Sequence, residues 1–321
     1  MAIRALEWRN GALHLLDQRF LPNREEWVVF HDWAGVAEAI RDMVVRGAPA
    51  IGVTAAYGMA LAARAGDDLM VASAGLRASR PTAVNLFWAL DRIEALRTTD
   101  ASAILAEAVS IDDEDLQMNL AIGKFGAELV PLGAGILTIC NTGSLATSGH
   151  GTALGIIRSA FAKDPSITVF SCETRPRQQG LRLTAWELMK DNIPFKSIAD
   201  SAAASLMALG KIDLVVVGAD RIACNGDSAN KIGTYALAIA AKYHGIPFYV
   251  AAPSSTIDIE IADGRQIPIE ERDGAEITMI EGVQVAPAGC PTWNPGFDVT
   301  PNELITAIVT EQGLFNPPFG F

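Results

Sequence analysis

The sequence predicts an α/β fold in which a C-terminal Rossmann-like parallel-sheet domain follows a smaller β-plus-helical N-terminal domain. Three observations predict it. Beyond Pro131, short aliphatic runs alternate with helix-length stretches, the pattern of right-handed βαβ units. Polar and reactive residues gather just past the ends of those runs, while the runs themselves are nearly pure hydrocarbon. Before Pro131 the chain offers a hairpin, a short strand and then helices, without that alternation. The boundary falls near residue 125, dividing the chain into 1–125 and 126–321.

In the N-terminal part, Ala5 to Trp8 and Ala12 to Leu16 read as strands joined by an Asn10-Gly11 turn. Trp27 to Phe30 is a further short strand. From Trp33 the period becomes helical: Val36, Ile40, Met43 and Val44 share one face, and Arg46-Gly47 closes that helix. Helices follow over Ile51 to Ala65, Pro81 to Arg97 and Asp100 to Leu129, with a tight segment between Ala65 and Arg80. The run Asp112-Asp113-Glu114-Asp115 is assigned to a solvated face. In the C-terminal part, strands are predicted at Ile136 to Cys140, Ile167 to Cys172, Phe195 to Ile198, Leu214 to Gly218 and Phe248 to Ala252. Helices lie between them at Thr152 to Ala162, Gln179 to Lys190, Ser201 to Leu209 and Lys231 to His244. The polar stretch from Asp258 to Thr278 reads as an excursion that packs either on the site or on a partner.

Composition narrows the function. The chain has 321 residues, half of them hydrophobic, yet no segment approaches the ~20 apolar residues of a membrane helix. The N-terminus has no uninterrupted apolar run of the signal-peptide kind, so a cytoplasmic location is expected. A formal charge of −12 argues against nucleic acid or an acidic membrane as partner. An anionic small substrate would have to be met by a few local cations. The four cysteines form no CxxC pair and the four histidines are scattered, so no zinc site is expected.

In parallel sheets, ligands sit beyond the carboxyl ends of the strands. Here those ends carry Cys140-Asn141-Thr142-Gly143, Glu173-Thr174-Arg175, Asp200-Ser201, Gly218-Ala219-Asp220-Arg221 and Ala252-Pro253-Ser254-Ser255. Asp220 is a candidate acid, held protonated if its pocket is dry; the alternative is a salt bridge to Arg221 or Arg175. Cys140 is either a partly exposed thiol activated by helix N-termini and cations or a small core residue. Lys231, placed at a helix start, suits an anionic ligand. Arg46-Gly47-Ala48-Pro49 opens a helix with a proline in its first turn, a glycine for close approach and an arginine fork, and so reads as a phosphate cradle. Arg80-Pro81-Thr82 repeats the device. Gly149 to Gly155 fails the G-x-G-x-x-G spacing because Leu154 stands where the third glycine belongs, which argues against a nicotinamide-dependent oxidoreductase and for a tight turn opening a helix.

Several longer motifs carry a family likeness. Arg46-Gly47-Ala48-Pro49, Arg80 to Asn85, Cys140-Asn141-x-Gly143, Glu173 to Gly180, Gly218 to Ile222, Asn225-Gly226-Asp227, Ala229 to Tyr235, Pro247 to Pro253 and Phe297 to Pro301 together resemble the methylthioribose-1-phosphate isomerases of methionine salvage. The likeness runs in order along nearly the whole chain. It implies aldose-to-ketose isomerisation without metal or nucleotide cofactor, on a sugar phosphate, by a homodimer. It also implies a catalytic pair, Cys140 and Asp220, with substrate contacts at Arg46, Gly47, Ala48, Arg80, Gln179, Asn230 and Lys231. Ile139 and Thr142 depart from the His and Ala usual around the family's cysteine. This departure leaves the reaction class intact and opens the substrate's 5-substituent, so that 5-deoxyribose 1-phosphate is an alternative. Ribose-1,5-bisphosphate isomerase would need a second phosphate site, and the sequence shows no further cationic motif for one. A further alternative, from another class, is a non-catalytic regulatory subunit of a translation-initiation exchange factor.

Overall fold

The computed structural model describes residues 3–80 and 83–321. It opens with an antiparallel sheet of β1 (Leu6–Arg9), β2 (Ala12–Leu16) and β3 (Trp27–Phe30). Asn10 and Gly11 both take positive φ between β1 and β2, as a two-residue hairpin turn requires. The helices α1 (Trp33–Arg41), α2 (Ala48–Ala65), α3 (Leu69–Ser79), α4 (Val84–Glu94) and α5 (Ala101–Ala127) follow. Helix α2 is apolar on all sides and is accordingly buried on all sides, packed among α1, α3, α4 and α5.

The structure differs from expectation here in three ways. Helix α1 stops at Arg41, because Met43 takes φ +62° and Val44 N–H returns to the Ala39 carbonyl at 2.9 Å. Met43 therefore leaves the apolar face assigned to it, and the residues after it form the loop that carries Arg46. Helix α3 fills the stretch read as a tight segment, and its first turn is capped by Asp68, which accepts from Met70 N–H at 2.9 Å. Pro81 and Thr82, expected to begin a helix, lie outside the described residues; the helix is described from Val84.

The third difference is the acidic run on α5. Asp112 and Asp115 are buried, not solvated. Helix α5 is sandwiched between α2 and the first helix of the C-terminal part, so one edge of the run faces inward. Arg4 and the Tyr57 hydroxyl donate to Asp112 at 2.9 and 3.0 Å. Asp115 accepts from Ser148 N–H at 2.7 Å and from Asn119 at 3.0 Å. Asp115 thus ties α5 to the loop that follows the first strand of the large sheet, and Asp112 ties it to α2 and to the segment before β1.

The C-terminal part runs β4 (Gly135–Thr138), α6 (Ala153–Lys163), β5 (Thr168–Cys172), α7 (Ala185–Lys190), β6 (Phe195–Ile198), α8 (Ala203–Ala208) and β7 (Leu214–Val217). It continues through β8 (Arg221–Ala223), β9 (Ser228–Lys231), α9 (Thr234–His244), β10 (Phe248–Ala251), β11 (Ile257–Asp258) and α10 (Ala275–Thr278). It ends with β12 (Met279–Ile280), β13 (Val283–Gln284), β14 (Phe297–Thr300), β15 (Ala307–Thr310) and β16 (Gly313–Phe315). The large sheet has the order β16-β15-β10-β7-β4-β5-β6, parallel except at β16. From β4 the chain winds outward through β5 and β6, then returns to the other side at β7. A second sheet, β11-β8-β9-β14, stands over the carboxyl end of β7. Asn230 and Lys231 belong to this second sheet. The expected helix start at Lys231 is therefore corrected: β9 pairs with β14, Gly233 takes φ +104°, and the helix opens at Thr234. Asp298 of β14 accepts from Gly233 and Tyr235 N–H at 2.7 and 3.1 Å, and so caps α9 from across the sheet.

Burial raises the Asp115 carboxyl to about 6, against its hydrogen bonds from Ser148 and Asn119. A carboxyl raised above its unfolded value, ~3.9, destabilises the fold as it ionises, so stability falls as pH rises between about 4 and 6 and is flat above. Relative to Asp115→Asn, the wild type should gain on the order of 3 kcal/mol as pH is lowered from 7 to 4. Denaturant midpoints of both proteins across that range measure it; a pH-independent gap contradicts it.

Candidate active site

Cys140 lies just past β4 and Asp220 just past β7, the neighbouring strands between which the winding of the sheet reverses. This is the crevice where open α/β sheets bind ligands. The loop Arg46–Gly47 and the N-terminus of α2 close the crevice from the first part of the chain, and β9 and β14 close it from above. The resulting cleft is lined by Arg46, Gly47, Arg80, Cys140, Gln179, Asp220 and Lys231. Ala48 and Asn230 line recesses continuous with it. Every residue expected at the site is thus brought together.

Cys140 takes φ +68°, a conformation rare for a residue with a Cβ. Its N–H donates to Thr174 Oγ1 at 2.9 Å, and its carbonyl accepts from Thr184 Oγ1 at 2.6 Å. Thr174, at the end of the adjacent β5, also has positive φ. The two strand ends therefore hold each other in a sharp turn that presents the sulfur. Arg46 Nη2 stands 3.7 Å and Gln179 Nε2 3.5 Å from Sγ. The thiol is almost fully buried rather than partly exposed as expected, and it lines the cleft with two donors beside its sulfur. Gln179 Oε1, also buried, has no partner among the described residues and is an open acceptor at the same place.

Among the described residues, no N–H or O–H donates to the Asp220 carboxylate. Its backbone N–H is fixed by the Ala229 carbonyl at 2.8 Å. Arg221 pairs with Asp258, and Arg175 donates to the carbonyls of Pro176 and Ile277. Burial raises the Asp220 carboxyl above the usual range, although Lys231, Arg46 and Arg80 pull it down. Burial lowers Lys231, which Cys140 and Asp220 partly offset. Lys231 Nζ donates to the Gly296 carbonyl at 2.6 Å and sits 4.2 Å from the centre of the Phe297 ring. Burial likewise lowers Arg80. Arg46, Arg80 and Lys231 make no ion pair with a carboxylate among the described residues, so an anion in the cleft would meet uncompensated charge.

Sequence reasoning missed part of the wall. Arg19, Arg177, Arg182, Arg272, Glu270, Met43 and Phe297 also line the cleft. The stretch from Asp258 to Thr278 packs on the site, contributing Glu270 and Arg272. These extra arginines are already engaged. Arg19 pairs with Asp17, Arg177 with Glu276, and Arg272 with Glu270 and Glu276. Arg182 donates to the carbonyls of Arg19 and Leu21. Ile139, whose presence beside the cysteine opened the question of the substituent, turns into the core of the large sheet and does not face the cleft. Arg177 lies inside the motif from Glu173 to Gly180 but is given no role there. Arg19 and Arg272 pair with carboxylates two to four residues away and so read as ordinary surface ion pairs, and only the partners of Arg177 and Arg182 are distant in the chain.

The initiation factor 2 subunit family model matches residues 44–317. The methylthioribose-1-phosphate isomerase of Alkalilimnicola ehrlichii is 55% identical over 97% of this chain and 94% of its own length. That of Chloroflexus aurantiacus is 55% identical over 99% and 97%. The chain belongs to the methylthioribose-1-phosphate isomerase family. Among solved structures, 5-methylthioribose 1-phosphate isomerase of Pyrococcus horikoshii superposes with a TM-score of 0.91 at 45% identity, covering 98% of this chain and 93% of that one. A protein of A. fulgidus described as translation initiation factor eIF-2B, subunit delta, superposes with a TM-score of 0.86 at 42% identity, covering 99% and 97%. Both the isomerase fold and its initiation-factor kinship are therefore present in this family member. No helix among its described residues is long and apolar enough to cross a membrane.

Gly47 tests how tightly the cradle is built. It has φ +93°, and an added Cβ would lie 2.5 Å from Ala146 Cα. Gly47→Ala is expected to lose about 1–3 kcal/mol of stability together with activity. Gly66 has φ +77° but open space around it, so Gly66→Ala should cost about 1 kcal/mol and leave activity unchanged. Equal effects of the two on turnover would contradict this reading.

Proposed function

We propose that this chain is an aldose–ketose isomerase that converts 5-methylthioribose 1-phosphate to 5-methylthioribulose 1-phosphate. The observation that carries the reading is the meeting of Cys140 and Asp220 with Arg46, Arg80 and Lys231, cations without a carboxylate ion pair among the described residues, in one cleft of a chain of net charge −12. The names of relatives at 55% identity support it. The regulatory-subunit alternative has a structural counterpart at 42% identity, but a purely scaffolding surface has no need of a carboxyl and a thiol lining one cleft with three cations.

In this reading the phosphate on C1 lies among Arg46, Arg80 and the N-terminus of α2, which fixes the sugar for reaction. Asp220, protonated, donates to the ring oxygen as its bond to C1 opens, leaving an oxocarbenium at C1. The Cys140 sulfur takes the C2 proton to give the enol, exchanges it with solvent, and returns a proton to C1 as C2 becomes the ketone. The 2-hydroxyl proton restores Asp220, so protons balance over the cycle. Gln179 Oε1 accepts from a sugar hydroxyl, while Asn230 and Lys231 hold the sugar phosphate. The far wall of the cleft favours an uncharged 5-substituent. Its arginines are already satisfied, and Met43, Leu183 and Phe297 stand among them. A second phosphate would have to break those pairs. The homodimer and the cytoplasmic location implied earlier belong to the same proposal; sedimentation of the purified chain tests the former.

Proton NMR of the purified protein with 5-methylthioribose 1-phosphate, 5-deoxyribose 1-phosphate and ribose 1,5-bisphosphate tests the substrate. Turnover should be best with the first and absent with the last; a folded protein inert to all three overturns the reading. In deuterium oxide, deuterium should appear at C1 of the product, whereas full retention of protium indicates a hydride shift from C2. Because the working form of Asp220 is protonated, kcat/KM should fall as pH rises through a carboxyl pKa displaced upward by burial. Asp220→Asn should lose about 100-fold or more in kcat and lose that limb of the profile.

A further inference from the structure

We infer that Glu187 is a positioning residue that sets the orientation of the Asn141 amide and, through it, docks Arg46 against the Cys140 sulfur. Glu187 lies on α7, outside the cleft, and its side chain is wholly buried. One carboxylate oxygen accepts from Asn141 Nδ2 at 2.7 Å and Leu145 N–H at 3.3 Å. The other accepts from Ser144 N–H at 2.7 Å and Arg158 Nη2 at 2.8 Å. Every neighbour is a donor, so only an ionised carboxylate satisfies the set. Gly143 is required beside it, because a Cβ there would lie 2.3 Å from the carboxylate.

The consequence passes through one amide. With its NH2 committed to Glu187, Asn141 must present Oδ1 to Arg46 Nη1, at 2.6 Å. Arg46 Nη2 then bonds the Asn141 carbonyl at 3.1 Å and faces Sγ at 3.7 Å. A cation held beside a sulfur favours its nucleophilic form. In Glu187→Gln the new NH2 group must face some of the donors. Facing the Arg158 cation is worse than facing the neutral Asn141, so the NH2 settles toward Asn141. The Asn141 amide then turns over and offers NH2 to Arg46, which is released. The result is a loss at the cleft from a change made behind it.

The inference rests on the proposed isomerase reading for its kinetic arm only; the thiol arm stands alone. Alkylation of Cys140 by iodoacetamide, followed by peptide mass spectrometry to separate it from Cys172, Cys224 and Cys290, is compared in wild type and Glu187→Gln. Alkylation of Cys140 should slow about tenfold or more, and KM for the sugar phosphate should rise about tenfold with a smaller change in kcat. Glu187→Asp, which keeps the charge, should recover part of both. A folded Glu187→Gln protein with wild-type alkylation and kinetics overturns the inference. If that variant does not fold, Asn141→Ala decides: it leaves the Glu187–Arg158 pair in place, should reproduce both effects, and overturns the inference if it reproduces neither. An isomerase assay that fails for the wild type while the alkylation difference persists rejects the function and keeps the positioning role.

Discussion

The reversal of winding between β4 and β7 is the constraint from which the site follows. A parallel sheet that only wound one way would bring its strand-end loops up on one face in sequence, each covered by the next helix. Here the two central strands send their chains to opposite sides and leave a gap above them. Cys140 and Asp220 occupy the two lips of that gap. The remaining walls are added from elsewhere: α2 and its preceding loop from the first part of the chain, and the β8–β9 hairpin with β14 from the small sheet. Walls from distant segments thus bring Asp220, Arg46, Arg80 and Lys231 close enough for their charges to act on one another.

What the sequence revealed was local. The Asn10-Gly11 turn, the aliphatic strands and the strand-end polar clusters each depend on neighbours within a few residues, and all appear in the structure. The residues of the cleft were legible because long motifs surround them. Two of the errors, at Lys231 and at Asp112 and Asp115, come from pairing across the chain. Lys231 reads as a helix start until β9 is seen to pair with β14, whose residues begin at Phe297. Asp112 and Asp115 read as surface until Arg4, Tyr57 and Ser148 are found against them. Arg182 and Arg272 carry no local mark of their place. Met43 fits the apolar face of α1 by spacing, and only its positive φ removes it.

The charges of the cleft fall into two kinds. Arg19, Arg177 and Arg272 are balanced by carboxylates, Arg182 is held by backbone carbonyls, and together they shape the wall. Arg46, Arg80 and Lys231 are left to an incoming anion, which explains how an acidic chain attracts a phosphate. The same division appears among the acids. Asp227 gathers N–H groups from Gly264 and Asn302 and is held below the usual range, so it braces the hairpin. Asp220 gathers no donors and is raised. A carboxylate that organises structure and one that remains free to move a proton differ in the donors around them, not in the residue.

The solitary Asp220 has an evolutionary consequence. A desolvated carboxyl without donors weighs against the folded state, and among the described residues no hydrogen bond depends on its side chain. The turn at Cys140 is fixed by backbone bonds to Thr174 and Thr184, so its shape does not depend on the sulfur. A lineage released from selection for turnover would shed both groups readily and keep the scaffold intact. The kinship of this family with a protein described as an initiation factor sets the same scaffold beside a different described role.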